Sequence, residues 1–103
     1  MESSVAISDT IASEMATELS NYFNVYLFFC FDKKGVLVNE NDDSSIIYDL
    51  DESTFQKYRE SGIINGGMIP KLENAFYAKR KGVREVLITN PENIASGRGT
   101  RII

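Results

Sequence analysis

The stretch GGMIPKLENAF, residues 66–76, decides how this fold is interpreted. Gly66 and Gly67 allow a tight turn and a close approach to the backbone, because neither carries a Cβ. Pro70 suits the first position of a helix, where its missing N–H group costs nothing. The stretch therefore predicts a tight turn at the two glycines and a helix over 70–81.

The start of this helix is a candidate anion site. A helix N-terminus offers backbone N–H groups and a partial positive charge, and Lys71 adds a full positive charge. Such an arrangement suits an anion such as a phosphate. The alternative is an ordinary tight turn before a helix, with Lys71 simply solvated, since glycine pairs are common in turns.

Length and charge restrict the class of protein. The 103 residues are enough for one domain, residues 1–103, and the net charge of −4 argues against nucleic acid as a partner. The longest apolar run, residues 25–31, is too short to span a bilayer. The first residues, MESSVAISD, lack the basic and apolar regions of a signal peptide. We therefore expect a cytoplasmic protein without a nucleic-acid or membrane partner.

The available chemistry is limited by two residue types. The chain has no histidine, which removes the commonest general base and histidine-based metal sites. Cys30 is the single cysteine and lies in the apolar stretch YLFFCF, so we expect a buried, inert thiol. Any catalysis must then use lysine, aspartate, glutamate and backbone groups.

Apolar periodicity predicts the first elements. Residues 10–23 read as an amphipathic helix whose apolar positions recur every four residues, at Ile11, Met15, Leu19 and Phe23, with Ala12 and Ala16 beside them. The continuous apolar run 25–31 is typical of a strand that is buried on both faces.

The rest of the chain adds short elements. Residues 36–38 and 46–48 predict a loop or an irregular hairpin, and Ser53 with Gln56 forms a capping-box pattern for a short helix that ends near Gly62. Buried strands are expected over 83–89 and 100–103. Alternating helices and strands favour a layered α/β fold. The strands are few for such a sheet, so we expect the chain to be part of a larger fold.

Several segments in this order resemble the C-terminal part of the acetylglutamate kinases, in the amino acid kinase family. The resemblance rests on the segments DTIASEMA, DKKGVL, SGIINGGMIPKLENA, GVREVLITN and GTRI, which together span nearly the whole chain from Asp9 onward. It implies a three-layer αβα sandwich, of which this chain is the C-terminal portion. It also implies transfer of the γ-phosphoryl group of ATP, with its Mg²⁺, to the side-chain carboxylate of N-acetylglutamate or N-succinylglutamate, in arginine biosynthesis.

The resemblance also assigns roles to residues. Lys71 matches the lysine that stabilises charge on the transferring phosphoryl group, and Asp9 matches the aspartate that orients the catalytic lysines. The resemblance implies a nucleotide site formed by Asp32, Lys33, Lys34, Gly35, Val36, Leu37, Ile63, Ile64, Asn65, Gly66 and Gly67. The apolar members of this set could equally be plain core.

The sequence departs from the family in two respects. The family's K-x-G-G motif, with its second catalytic lysine, and its glycine-rich loop have no match here. Its N-x-N-A-D motif survives only at Asp9, since Val5 stands where an asparagine would bind the amino acid substrate. We therefore expect the isolated chain to be inactive. The alternatives are a nucleotide-binding module without catalysis and a self-associating structural protein, such as a homodimer.

Overall fold

The computed structural model describes residues 9–30, 33–39 and 41–103, and of Asp9 it describes the backbone alone. Three helices and four strands occur in these ranges. The helices are α1 (Asp9–Leu19), α2 (Glu52–Ser61) and α3 (Met68–Arg80). The strands are β1 (Tyr26–Cys30), β2 (Asp49–Leu50), β3 (Glu85–Thr89) and β4 (Thr100–Ile102).

The four strands form one mixed sheet in the order β1-β3-β4-β2. β1 is parallel to β3, with Tyr26 opposite Glu85 and Cys30 opposite Thr89. β4 is antiparallel to β3 and parallel to β2. The strands predicted over 83–89 and 100–103 are thus confirmed, with β3 beginning at Glu85 and β4 ending at Ile102.

The core lies between one face of this sheet and the helices. Val86, Ile88 and Ile102 are fully or almost fully buried and pack in one cluster with side chains of all three helices. From α3 the cluster takes Leu72, Ala75, Phe76 and Ala78. Phe55 of α2 stacks on Phe76, with the ring centroids 5.3 Å apart. This aromatic pair joins α2 to α3 within the core.

The start of α2 differs from the capping-box prediction. Asp51, not Ser53, is the N-cap, and its carboxylate accepts a hydrogen bond from the Thr54 N–H at 2.7 Å. Asp51 sits directly after β2, so the helix begins as soon as the strand ends. The predicted end is confirmed, because Gly62 terminates the helix with a left-handed φ of 83°.

The apolar stripe predicted for α1 faces away from the core. Ile11, Met15 and Leu19 are 51%, 53% and 45% exposed. Small residues face the core instead, with Ser13 and Ala16 buried. The helix also ends at Leu19 rather than at 23. Periodicity located a stripe correctly but could not tell which side of the helix packs on α3.

The prediction of a strand buried on both faces is also wrong. In β1 only Phe29 is buried, while Tyr26 and Phe28 are 52% and 41% exposed. Cys30 is exposed too, contrary to the expected buried thiol. The physical reason is that Tyr26, Phe28 and Cys30 alternate onto one face of β1, and the described residues leave that face exposed.

The segment between β1 and β2 is an irregular hairpin, as the sequence indicates. Leu37 and Ile46 form a single antiparallel bridge, and the Ile47 N–H donates to the Val36 carbonyl at 2.8 Å. A short 3-10 turn, Asp43–Ser45, closes it. Within the described ranges, no helix is long and apolar enough to cross a membrane.

Candidate functional site

A cleft of about 450 Å³ opens between the hairpin and the start of α3. It is lined by Lys33, Gly35, Val36, Leu37, Ile63, Ile64, Asn65, Gly67, Met68 and Lys71. Among these lining residues, two are cationic and none is acidic. A volume in this range suits a small organic ligand, and the charge favours an anionic one.

One wall of the cleft is the hairpin segment 35–37. Val36 and Leu37 are buried yet line the cleft, so they serve both the core and the wall. Val36 and Leu37 thus belong to the core and line the cleft at the same time. Lys33, two residues before this segment, is exposed and also lines the cleft.

The opposite wall follows the end of α2. Gly62 turns the chain, and the Ile64 N–H then donates to the Tyr58 carbonyl at 3.0 Å. The Asn65 amide donates to the Gly62 carbonyl at 2.8 Å and so fixes the same turn. Ile64 enters the core, whereas Ile63 remains 36% exposed and lines the cleft.

The glycine turn leads directly into α3. Gly66 adopts a left-handed φ of 57°, which favours glycine, whereas Gly67 has an ordinary φ of −66°. A Cβ at Gly67 would meet nothing within 4 Å. The fold therefore does not require glycine at position 67, and the missing side chain leaves the backbone open on the cleft side.

The sequence predicted Pro70 as the first residue of the helix, and this prediction is wrong. The helix begins at Met68, so Pro70 occupies its third position. The N–H groups of Met68 and Ile69 donate to the carbonyls of Asn65 and Gly66, at 3.3 and 3.2 Å. These two donors are used within the turn, so any anion at this point would meet the glycine backbone and Lys71 rather than a full set of helical N–H groups.

Lys71 lies on the first turn of α3 and lines the cleft. Its Nζ atom lies 5.7 Å from the centroid of the Phe29 ring, within the range of a cation–π interaction. Phe29 is nearly completely buried, so β1 supplies a rigid support for the lysine side chain.

The starts of α1 and α3 are side by side. The buried Ser13 hydroxyl donates to the Asn74 carbonyl at 2.7 Å, and the Asn74 amide donates to the Thr10 hydroxyl at 3.3 Å. Asp9 precedes Thr10 and Lys71 lies one turn before Asn74. The packing of the helices thus brings together the backbone segments of the two predicted catalytic residues. The Asp9 side chain lies outside the described residues.

Eight of the predicted nucleotide residues line this one cleft, and two of the described ones do not. Lys34 faces a second cleft of about 400 Å³, which it shares with Asp43, Tyr48 and Arg98. Gly66 shapes the turn without lining the cleft, and Asp32 lies outside the described residues. Met68 lines the cleft and was not predicted, because an apolar residue after two glycines gives no local signal of a site.

The described ranges contain no group of three or more cysteine, histidine, aspartate or glutamate residues that could hold a metal ion. The described residues that line the cleft include no carboxylate, so they would fit a Mg²⁺ ion that arrives as the companion of a polyphosphate, which is how Mg²⁺ is usually bound at such sites.

The fold and the cleft together define a layered α/β protein with a cationic cleft at a glycine turn. The chain belongs to the amino acid kinase family, whose model matches residues 5–90. The curated relatives that it matches include an acetylglutamate kinase from Parabacteroides distasonis. The two are 55% identical over 95 residues, which cover 92% of this chain and 37% of the relative. The chain therefore spans little more than a third of that relative's length.

Solved structures show the same fold. A protein of Aeropyrum pernix K1 matches with a TM-score of 0.74 and 24% identity, over 97% of this chain and 33% of that one. Carbamate kinase from Giardia lamblia bound to AMP-PNP matches with a TM-score of 0.70 and 22% identity, over 97% and 36%. The predicted fold class, a partial αβα sandwich of the amino acid kinase type, is confirmed.

Proposed function

We propose that this chain is the nucleotide-binding portion of an acetylglutamate kinase. The observation that carries the proposal is the cleft of about 450 Å³, which gathers residues from the separate segments 33–37 and 63–68 together with Lys71. The similarity to acetylglutamate kinases over 92% of the chain supports the same assignment. The complete reaction would phosphorylate the side-chain carboxylate of N-acetylglutamate or N-succinylglutamate, in the cytoplasm and within arginine biosynthesis.

The cleft suits the two chemically different parts of ATP. Val36, Leu37 and Ile63 offer an apolar surface for the purine base. Gly67 and Lys71 offer a backbone approach and a positive charge for the phosphates, with Mg²⁺ arriving on the nucleotide. When bound, ATP supplies the phosphoryl group, and the protein supplies position and charge.

The residues fit phosphoryl transfer to a carboxylate. A carboxylate is already an anionic nucleophile at neutral pH, so this step does not need a histidine as general base. Catalysis then depends on positioning and on stabilising negative charge. We assign charge stabilisation to Lys71, held against Phe29, and orientation of the lysine to Asp9.

We further propose that this polypeptide alone does not turn over substrate. It offers one site lysine on α3, and Val5, where a substrate-binding asparagine is expected, cannot form that hydrogen bond. Loss of one preorganised donor lowers a rate by about 10²–10³. A coupled assay that finds ATP turnover dependent on N-acetylglutamate would contradict this part of the proposal.

The test of the nucleotide site is a calorimetric titration with Mg-ATP. We expect saturable binding that weakens by about tenfold or more in Lys71→Ala, because a charge-assisted contact is lost. Lys81→Ala is the matched control. The Nζ atom of Lys81 also lies 5.7 Å from the centroid of an aromatic ring, that of Tyr77. Lys81, however, follows the C-terminal end of α3.

Two outcomes would count against the nucleotide site. Equal affinity in the wild type and Lys71→Ala would exclude this cleft as the phosphate site. No binding up to millimolar Mg-ATP would mean that the 103 residues do not form an independent nucleotide site, and would favour a structural role.

A self-associating module remains the alternative function. The observation in its favour is exposed apolar side chains in two places, the outer stripe of α1, which includes Met15, and the outer face of β1, which includes Phe28. Surfaces of this kind favour association.

A further inference from the structure

The wall of the cleft is held from behind by a residue that does not line it. Thr100, the first residue of β4, is completely buried. Its hydroxyl accepts a hydrogen bond from the Val36 N–H at 2.8 Å and donates one to the Ile47 carbonyl at 2.5 Å. A single side chain thus bonds to both arms of the hairpin.

The hairpin backbone is also pressed against this residue. A Cβ placed at Gly35 would lie 2.7 Å from the Thr100 hydroxyl oxygen and 3.0 Å from its backbone nitrogen. No side chain fits between the two segments at such distances, so Gly35 lets the loop reach Thr100. The hydrogen bond between Val36 and Thr100 joins residues 64 apart in the sequence. It fixes the segment 35–37, which forms one wall of the cleft.

We propose that Thr100 is a positioning residue for the nucleotide cleft. Its buried hydroxyl fixes the segment 35–37, and with it the apolar surface for the purine base. The effect on nucleotide binding rests on the proposed function, whereas the anchoring of the loop rests on the geometry alone. A wall that is ordered before binding increases affinity, because the ligand need not select a rare conformation.

The first test measures hydrogen exchange at the Val36 amide by NMR, in the absence of nucleotide. In Thr100→Val, which keeps the shape and removes the hydroxyl, we expect exchange about tenfold faster than in the wild type. Thr100→Ser restores the hydroxyl and should stay within about threefold of the wild type.

Thr89→Val is the matched control. Thr89 is also a completely buried strand threonine, and its hydroxyl donates to the Arg98 carbonyl at 2.6 Å instead of bonding to the hairpin. This variant should leave the exchange of Val36 unchanged. Unchanged exchange in Thr100→Val, or equal acceleration in Thr89→Val, would overturn the proposal.

The second test measures Mg-ATP affinity by calorimetry in the same variants. We expect binding about fivefold or more weaker in Thr100→Val, and within about twofold of the wild type in Thr100→Ser and Thr89→Val. Equal affinity in the wild type and Thr100→Val would overturn the positioning role. If the wild type does not bind Mg-ATP, the proposed function fails, while the exchange measurement still decides whether Thr100 anchors the loop.

Gly35→Ala provides an independent variant if Thr100→Val does not fold. Its added Cβ would displace the loop from Thr100 while leaving β4 intact. We expect faster Val36 exchange and weaker Mg-ATP binding, as in Thr100→Val. Wild-type values of both quantities in this variant would contradict the proposal.

Discussion

Helices α1 and α3 carry similar apolar patterns but use them in opposite ways. In α3 the large apolar residues Leu72 and Phe76 are buried against the sheet. In α1 the large apolar residues face outward, and small residues such as Ser13 and Ala16 face α3. Small residues allow close contact between the helices, and the Ser13 hydrogen bond to Asn74 fixes their relative position. The difference shows that the size of a side chain does not reveal which face of a helix packs inward.

The sharpest test of this comparison is one substitution made in both helices. Leu72→Ala removes a completely buried side chain, and we expect it to lower the free energy of unfolding by about 2–5 kcal/mol. Leu19→Ala changes a residue that is 45% exposed and should lower it by less than about 1 kcal/mol. Urea denaturation followed by circular dichroism measures both.

Similar losses of stability in the two variants would contradict the difference in packing between α1 and α3. A large loss in Leu19→Ala would mean that the outer stripe of α1 is covered in solution. The protein concentration should then be varied, since burial in a second copy makes the midpoint concentration-dependent.

The outer stripe of α1 gives the next largest expected effect. If this surface drives self-association, sedimentation velocity should show a size that rises with concentration. Met15→Lys, in the centre of the stripe, should then weaken association by about tenfold. Glu14→Lys reverses the charge at an exposed neighbouring position without removing apolar surface, and it should have a smaller effect. A wild-type protein that remains monomeric at all concentrations would count against association through α1.

Local patterns predicted the elements whose residues carry their own signals. The glycine turn, α3, β3 and β4 follow from glycine pairs, helical spacing and short apolar runs. The burial of β1 did not follow, because the sequence of a strand does not record whether another layer covers it. The cap at Asp51 was missed because Ser53 matches the same local pattern two residues later.

The residues of the candidate site also include some that local patterns predicted and some that they missed. Lys71 and Gly67 were predicted from a contiguous motif, and the structure brings both to the cleft. Met68 was missed, and so was the link between Thr100 and Val36, which joins residues 64 apart. Contacts of that range depend on how β4 is placed in the sheet, and no local spacing encodes them.

The starts of α2 and α3 provide the last comparison and the smallest expected effect. Asp51 caps α2 with a side chain, whereas the N-cap of α3 is Gly67, which has no side chain to cap it. The backbone N–H of Thr54, and secondarily its side chain, hold the pKa of Asp51 below its ordinary value of 3.8. A carboxyl group with a lowered pKa in the folded state stabilises the protein above the unfolded value, and this contribution is lost as pH falls through the folded value.

Asp51→Asn tests this assignment, because asparagine caps a helix about as well as aspartate but does not titrate in this range. Above pH 4 we expect the wild type to melt slightly higher than Asp51→Asn, since a negative charge at a helix N-terminus is favourable. As the pH falls below 3.8 and through the lowered folded-state pKa, the difference should shrink and vanish, because the wild-type carboxyl group becomes protonated. Thermal melts of both proteins between pH 2 and 7 measure it. A difference that does not depend on pH would mean that the charge of Asp51 does not stabilise α2, and that the cap acts through its hydrogen bond alone.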